Sequence, residues 1–391
     1  MHQADIPLAT EKNASLTRRT KLPSSGVREP PKPDGDSNAG MAANKEMQLD
    51  TAGFPRAPLD AARAVTRLAF GSCNKHDAPQ AYWQRIAQRR PDVWVWLGDV
   101  VYADVPVLLK LRLPASAERL KAHWDGQLAN PHYRAFSAAT PVLGIYDDHD
   151  YGQNDGDRRY NATARALSQQ FLWDFVGEPA GSPRRAQEGV YQHYVLGTAP
   201  RRVHVILLDG RTNRDPYDDP AGGQDMLGAA QWAWLEAVLR DTDAEVTLIG
   251  SGVQVLSRGD PWIAEMWYKL PESQAKLLAL LAKTGVQGAF FLSGDVHFAE
   301  LNRQLCPPVG YPLWDLTSSG LTHSWGGPIK PLGIHLCTMG ASRARAGRGR
   351  RGCARGGGRL ATQRTPATTH HARPPRAARR AARQPPQASP A

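Results

Sequence analysis

No apolar run in these 391 residues reaches the roughly 18 needed to span a bilayer. The opening stretch, MHQADIPLATEKNASLTRRT, holds no apolar core of the signal-peptide kind. Cysteine is scarce, and Cys73, Cys306, Cys337 and Cys353 form no CxxC and no regular spacing. That argues against a zinc ribbon or a disulfide framework. GxxxxGK[ST], HExxH and GxSxG are missing, and GxGxxG does not occur within 66–326. P-loop, zincin, serine-hydrolase and dinucleotide readings of the body therefore lack support. Residues 1–53 and 341–391 contain no Phe, Tyr or Trp. Segments without large side chains bury too little apolar area to offset chain entropy, so both are expected to be disordered tails.

Charge is just as uneven. The formal net charge is +11, from 48 Lys+Arg against 37 Asp+Glu. Residues 341–391 hold thirteen Arg, no Lys and no acid. Without them, 35 basic residues face 37 acidic ones, a net charge of −2. The body is thus no polyanion binder, and nucleic acid is expected as a partner only through the Arg-rich tail. The abrupt switch to Arg, Ala, Pro and Gly is also what a GC-rich coding region yields when read out of frame.

Between these tails, apolar runs alternate with amphipathic stretches. Strands are expected at 67–72, 93–97, 142–146, 191–196, 203–208, 246–249, 289–292 and 313–316. Helices are expected at 80–89, from an N-cap at Ser116 to 128, and at 163–176, 229–240 and 273–283. Such alternation implies sheets covered by helices on their outer faces. Run after run ends in a polar cluster: Ser72-Cys73-Asn74, Gly98-Asp99, Asp147-Asp148-His149-Asp150, Asp209, and Ser293-Gly294-Asp295-Val296-His297. In α/β sheets ligands bind beyond the carboxyl ends of strands.

Asp99, Asp148, His149, Asp295 and His297 each follow an apolar strand, where a carboxylate needs a partner or a cation to stay charged. Several carboxylates together repel one another unless metal ions neutralise them. Two ions about 4 Å apart suit in-line displacement at phosphorus. Cys73 at the same rim and Tyr102, three residues past Asp99, add a thiol and a phenol. Those donors suit a trivalent ion such as iron, whereas carboxylates suit calcium or magnesium. His149, flanked by acids, suits a general acid for a departing alkoxide. Arg211 and Arg214, just past Asp209, suit phosphate contacts. His76, His123, His132, His193, His204 and His323 have no supporting context.

GSCN at 71–74, GDVVYAD at 98–104, YDDHDYGQND at 146–155, LLDGR at 207–211 and GDVHFAE at 294–300, with SSGLTHSW at 318–325, together resemble the alkaline phosphatase D (PhoD-like) family of metallophosphoesterases. The likeness covers about 66–326. It implies a four-layer α/β/β/α sandwich and hydrolysis of phosphate mono- or diesters by a metal-activated hydroxide. It implies two or more metal ions, one iron(III) and calcium. Cys73, Asp99 and Tyr102 would be iron ligands with Asp99 bridging, Asp148, Asp295 and His297 further ligands, His149 catalytic, and Arg211 a phosphate contact. Relatives are often exported, and they usually continue past the position of Trp325 into one or two closing strands. Two other readings stay open: an inactive or truncated member, and an anionic-surface binder acting through the tail. Deleting 341–391 should abolish salt-sensitive retention on immobilised RNA; an unchanged salt dependence would exclude the tail as the contact.

Overall fold

The computed structural model describes residues 48–49, 53–108, 111–218, 223–258, 264–305 and 307–324. Cys306, Cys337, Cys353, Trp325 and the Arg-rich tail lie outside them, as does most of 1–53. A minimal antiparallel pair, β1 (Gln48–Leu49) with β2 (Pro55–Arg56), precedes the main body.

Two sheets form the centre. The smaller is all parallel, in the order β3 (Leu68–Gly71), β4 (Val93–Leu97), β7 (Val142–Ile145). Its middle strand, VWVWL, is buried at every position, as a parallel strand covered on both faces must be. Trp94 and Trp96 pack against Trp83 of α1 (Tyr82–Gln88), with ring centroids 4.9 and 5.4 Å apart. Trp83 also stacks on Phe136 of α3 (Pro131–Ser137) at 4.8 Å. On the same side, Trp124 of α2 (Ala117–Ala129) meets Phe175 of α5 (Ala162–Val176) at 4.7 Å. Ser116 caps α2 by accepting from the Arg119 amide, as the sequence predicts.

The larger sheet has the order β12–β13–β11–β10–β9–β8. Its strands are β8 (Gln192–Leu196), β9 (Val203–Leu207), β10 (Val246–Ser251), β11 (Ala289–Ser293), β12 (Ala299–Gln304) and β13 (Leu313–Ser318). The four inner strands are parallel and both edges antiparallel. Side-chain alternation separates two cores. Val203, Val205 and Leu207 join the core shared with the smaller sheet, while Ile206 joins the core under α6 (Gly228–Asp241) and α7 (Pro271–Thr284). Helices, sheet, sheet, helices: the chain is the expected four-layer α/β sandwich.

Several elements lie outside the strands and helices expected from the sequence. The hairpin β5 (Val105–Leu108)–β6 (Leu111–Leu113), the short α3 and the single turn α4 (Asp148–Tyr151) lie where the sequence offers no long period. Strand β12, AELNRQ, is polar because it is an edge whose side chains alternate towards solvent. Among the described residues no helix is long and apolar enough to cross a membrane.

The entry to β3 is pinned by Asp92, whose carboxylate accepts from the Thr66 amide (2.8 Å) and hydroxyl (3.0 Å), the Arg67 amide (3.0 Å) and Arg63 Nη2 (3.0 Å). Partial burial pushes this carboxyl up, but the hydrogen bonds outweigh it and hold the folded-state pKa below the ordinary value. Its contribution is therefore present above the unfolded value of about 3.9 and lost as pH falls through the lower folded one. Asp92→Ala should cost about 1–3 kcal/mol in urea denaturation at pH 7, with the difference from the parent shrinking in strong acid.

Candidate metal centre

The carboxyl ends of β3, β4, β7, β9, β10 and β11 and the segment after β13 meet at one rim. Cross-links hold them together: Asn74 N to Asp99 O (2.7 Å), Val100 N to Asp150 Oδ2 (2.9 Å), Gly294 N to Gly252 O (2.9 Å) and Leu321 N to Ser72 O (3.2 Å). Asp150 also accepts from the Asp147 amide at 2.6 Å, so it braces the loop after β4 against the loop after β7.

Backbone shape at the rim is unusual. Cys73, Asp99, Asp295 and His297 have φ of 60°, 52°, 70° and 57°, the left-handed region that non-glycine residues rarely enter. Each such residue costs on the order of 1–3 kcal/mol, and such residues gather at functional sites. Gly98, at φ 86°, has no alternative: a Cβ there would lie 2.2 Å from Asp147 Cβ. A Cβ on Gly252 would lie 2.4 Å from Asp147 Oδ1. Asp147 is wedged between two glycines.

Two donor sets result, sharing Asp99. In the first, Asp99 Oδ2 accepts from Tyr102 OH at 2.9 Å and from Cys73 Sγ at 3.3 Å, and Tyr102 OH lies 3.0 Å from His297 Nε2. In the second, single oxygens of Asp99, Asp147, Asp148 and Asp295 all lie within 4.8 Å of one another. His149 adjoins both, its amide donating to Asp99 Oδ1 (3.4 Å) and its ring tilted over Tyr102 at 4.1 Å.

Electrostatics follow from this crowding. Burial, then the charges of Cys73 and the neighbouring aspartates, pushes Asp99 well above the carboxylate range. Asp295 is raised by burial and then by Asp147, Glu265 and Asp148. Burial lifts Asp147 to about 7 against the pull of Arg211, and Cys73 to about 11. Burial acts to raise Asp148 too, yet His149 and Arg211 outweigh it and hold Asp148 below its ordinary value. Asp147 Oδ2 and Asp148 Oδ1 are buried and have no hydrogen-bond partner. Orphaned buried carboxylate oxygens among mutually repelling acids fit cations, and a thiol, a phenol and an imidazole around Asp99 fit a trivalent one.

Arg211, expected to contact phosphate, lies wholly inside. Its Nε donates to Asp147 Oδ1 at 2.6 Å, Nη1 meets Glu265 Oε2 at 2.6 Å, and Nη2 lies 3.9 Å from Asp148 Oδ1. That makes it an internal counter-ion of the acidic cluster. Arg214 meets Glu265 Oε1 at 3.1 Å. Asp209 does not join the metal-ligand set: its oxygens accept from Tyr146, Val190, Thr212 and the Arg211 amide.

The profile of PhoD-like phosphatases matches residues 68–326, which hold every group described at this rim. The chain belongs to the PhoD-like phosphatase family. It is similar in fold to a solved structure described as PhoD, with a TM-score of 0.56 and 16% identity. The match covers 69% of this chain and 59% of that one, so the chain spans about three-fifths of that protein's length. GAP50, "the anchor in the inner membrane complex of Plasmodium", is similar at a TM-score of 0.38 and 14% identity, covering 68% of this chain and 74% of that one. No curated protein sequence matches the chain.

Cys73, Asp99, Tyr102, Asp148, His149, Arg211, Asp295 and His297, expected from the sequence, lie at or directly beneath this rim. Those missed are Asp104, Asp147, Glu265, Ser319 and His323. Asp147 stood in the Asp-Asp-His-Asp run without being distinguished from Asp148. Ser319, 2.9 Å from Cys73 Sγ, and His323, whose ring lies 4.3 Å from that of His297, sit in the SSGLTHSW segment. Glu265 carried no signal at all. Gly98→Ala should destabilise the fold by about 2–6 kcal/mol, from strain plus overpacking, and should reduce metal content measured by elemental analysis.

Proposed function

We propose that this chain hydrolyses phosphate mono- or diesters at a centre built from Cys73, Asp99, Tyr102, Asp147, Asp148, Asp295 and His297, with His149 as general acid. One observation supports this above all: Asp99 belongs at once to a thiol–phenol–imidazole set and to an all-carboxylate set. The first set, Cys73, Asp99, Tyr102 and His297, suits an iron(III)-type ion. The second, Asp99, Asp147, Asp148 and Asp295, suits calcium. When bound, such ions supply Lewis acidity at the phosphoryl oxygens and make a water acidic enough to attack at neutral pH.

The protein's own residues do the rest. Asp99 holds the two sets in register. Arg211, tied to Glu265, stands as a fixed cation between Asp147 and Asp148, which keeps both carboxylates oriented as ligands. His149 transfers its proton to the ester oxygen as the bond from that oxygen to phosphorus breaks, so an alcohol departs rather than an alkoxide. The new bond to phosphorus comes from the water oxygen.

The purified, metal-loaded chain is expected to turn over p-nitrophenyl phosphate or its bis-ester, to lose that activity to a chelator and to regain it with calcium. The iron-loaded protein should show a visible absorption band that Tyr102→Phe removes. His149→Ala should lower kcat by about 10²–10⁴-fold. Full metal content with turnover of neither ester would reject the reading in favour of an inactive family member.

A further inference from the structure

Three guanidiniums near the rim are already paired with carboxylates. Arg211 and Arg214 are tied to Glu265 inside the protein, and Arg112 Nη1 of β6 lies 3.3 Å from Asp104 Oδ1. Lys75, in the loop after β3, is placed differently. Among the described lysines, Lys121 pairs with Asp125 and Lys283 with Glu236, while Lys269 lies over the ring of Tyr217 and Lys276 over that of Trp232. Lys75 alone of these five has neither a carboxylate nor a ring against its ammonium, and it is exposed.

The main chain that carries this free cation is firmly held. The Lys75 amide donates to Thr322 Oγ1 at 2.8 Å. Its carbonyl accepts from the Ala78 amide at 3.1 Å and from Gln80 Nε2 at 3.4 Å. The same Thr322 hydroxyl lies 3.0 Å from Nδ1 of His323, whose ring stands 4.3 Å from that of His297 and 5.0 Å from that of Tyr102. One hydroxyl therefore joins Lys75 to the imidazole that covers the thiol–phenol–imidazole set. Burial holds His323 down to about 3, followed by the charges of His297 and Lys75. Burial likewise lowers His297 to about 4, with Lys75 among the charges that act on it. The ammonium of Lys75 is thus within electrostatic reach of the donor set, although no protein group engages it.

An ammonium on a flexible stem with no ion pair to break can turn towards an incoming anion. Because it is exposed, its pull is modest, and that pull scales with the charge of the anion. A phosphate monoester carries two negative charges above about pH 6, whereas a diester carries one. We propose that Lys75 is the phosphoryl-recognising cation at the mouth of the site and that it favours dianionic monoesters over monoanionic diesters. This rests on the reading of the chain as a phosphate-ester hydrolase. Lys75 acts on the approach and binding of the ester and takes no part in bond breaking.

The test compares p-nitrophenyl phosphate with its bis-ester on the full metal-loaded chain at about pH 8. Lys75→Met should lower kcat/KM by about 3–10-fold for the monoester and about 2–3-fold for the diester, mainly through KM. Both losses should shrink as salt rises from about 0.05 to 0.5 M. Lys75→Arg should keep most of the monoester preference, and Lys75→Glu should deepen its loss. Metal content and Tm should stay at the parent values, since the contacts that hold Lys75 are made by its main chain. An equal loss for both esters, no loss for either, or a loss that follows a fall in metal content would overturn the proposal. Inorganic phosphate gives a readout independent of turnover: by calorimetry, its Kd should rise about 3–10-fold in Lys75→Met. Equal affinity in the two proteins, or no binding to the parent, would likewise overturn it. If the parent turns over neither ester, the hydrolase reading fails on its own, and the phosphate comparison still decides the role of Lys75.

Discussion

Four carboxylates lie within mutual reach, Asp99, Asp147 and Asp148 buried and Asp295 half-buried. Like charges so placed repel strongly at low dielectric, and burial alone disfavours each of them. Everything else at the rim answers that problem. Arg211 is sunk among them with Glu265 behind it, two oxygens are left bare, and several carboxyls are raised towards their neutral forms. A cation resolves all three conditions together, which is why this arrangement reads as a metal centre and not as a surface patch of acids.

The sandwich exists, in this sense, to hold incompatible charges still. Two parallel-rich sheets deliver their carboxyl ends to the same place. The tryptophans of β4 and α1 pack behind the smaller sheet, and the loops after Leu97 and Ile145 leave paired neighbouring strands. Strained left-handed residues and the two glycines around Asp147 record how closely those loops are pressed.

Much of this was legible beforehand. VWVWL reads as a doubly buried strand, and it is one from Val93 to Leu97. The recurrence of Asp and His after apolar runs indicated where the rim would be, because strand ends are defined locally by the switch from apolar to polar. The illegible parts depend on distance between remote segments. Asp104 is one more acid in a loop until its 2.7 Å contact with His149 is seen. Glu265 follows no strand, yet it closes on Arg211 across 54 residues of chain. Arg211 suggests a phosphate contact in the sequence, but its burial among Asp147, Asp148 and Glu265 has no local signal. β12 escapes notice because edge strands are written in polar residues, and α3 because seven residues are too few to show a helical period.

The hydrogen bond between Cys73 and Ser319 joins positions 246 residues apart. The donor atoms around it come from segments scattered along that whole span. No fragment that lacks either Cys73 or His297 can assemble the centre, which draws on the strand ends of both sheets. An ion held there would bind the folded chain and not the unfolded one, and so would stabilise the folded state by mass action.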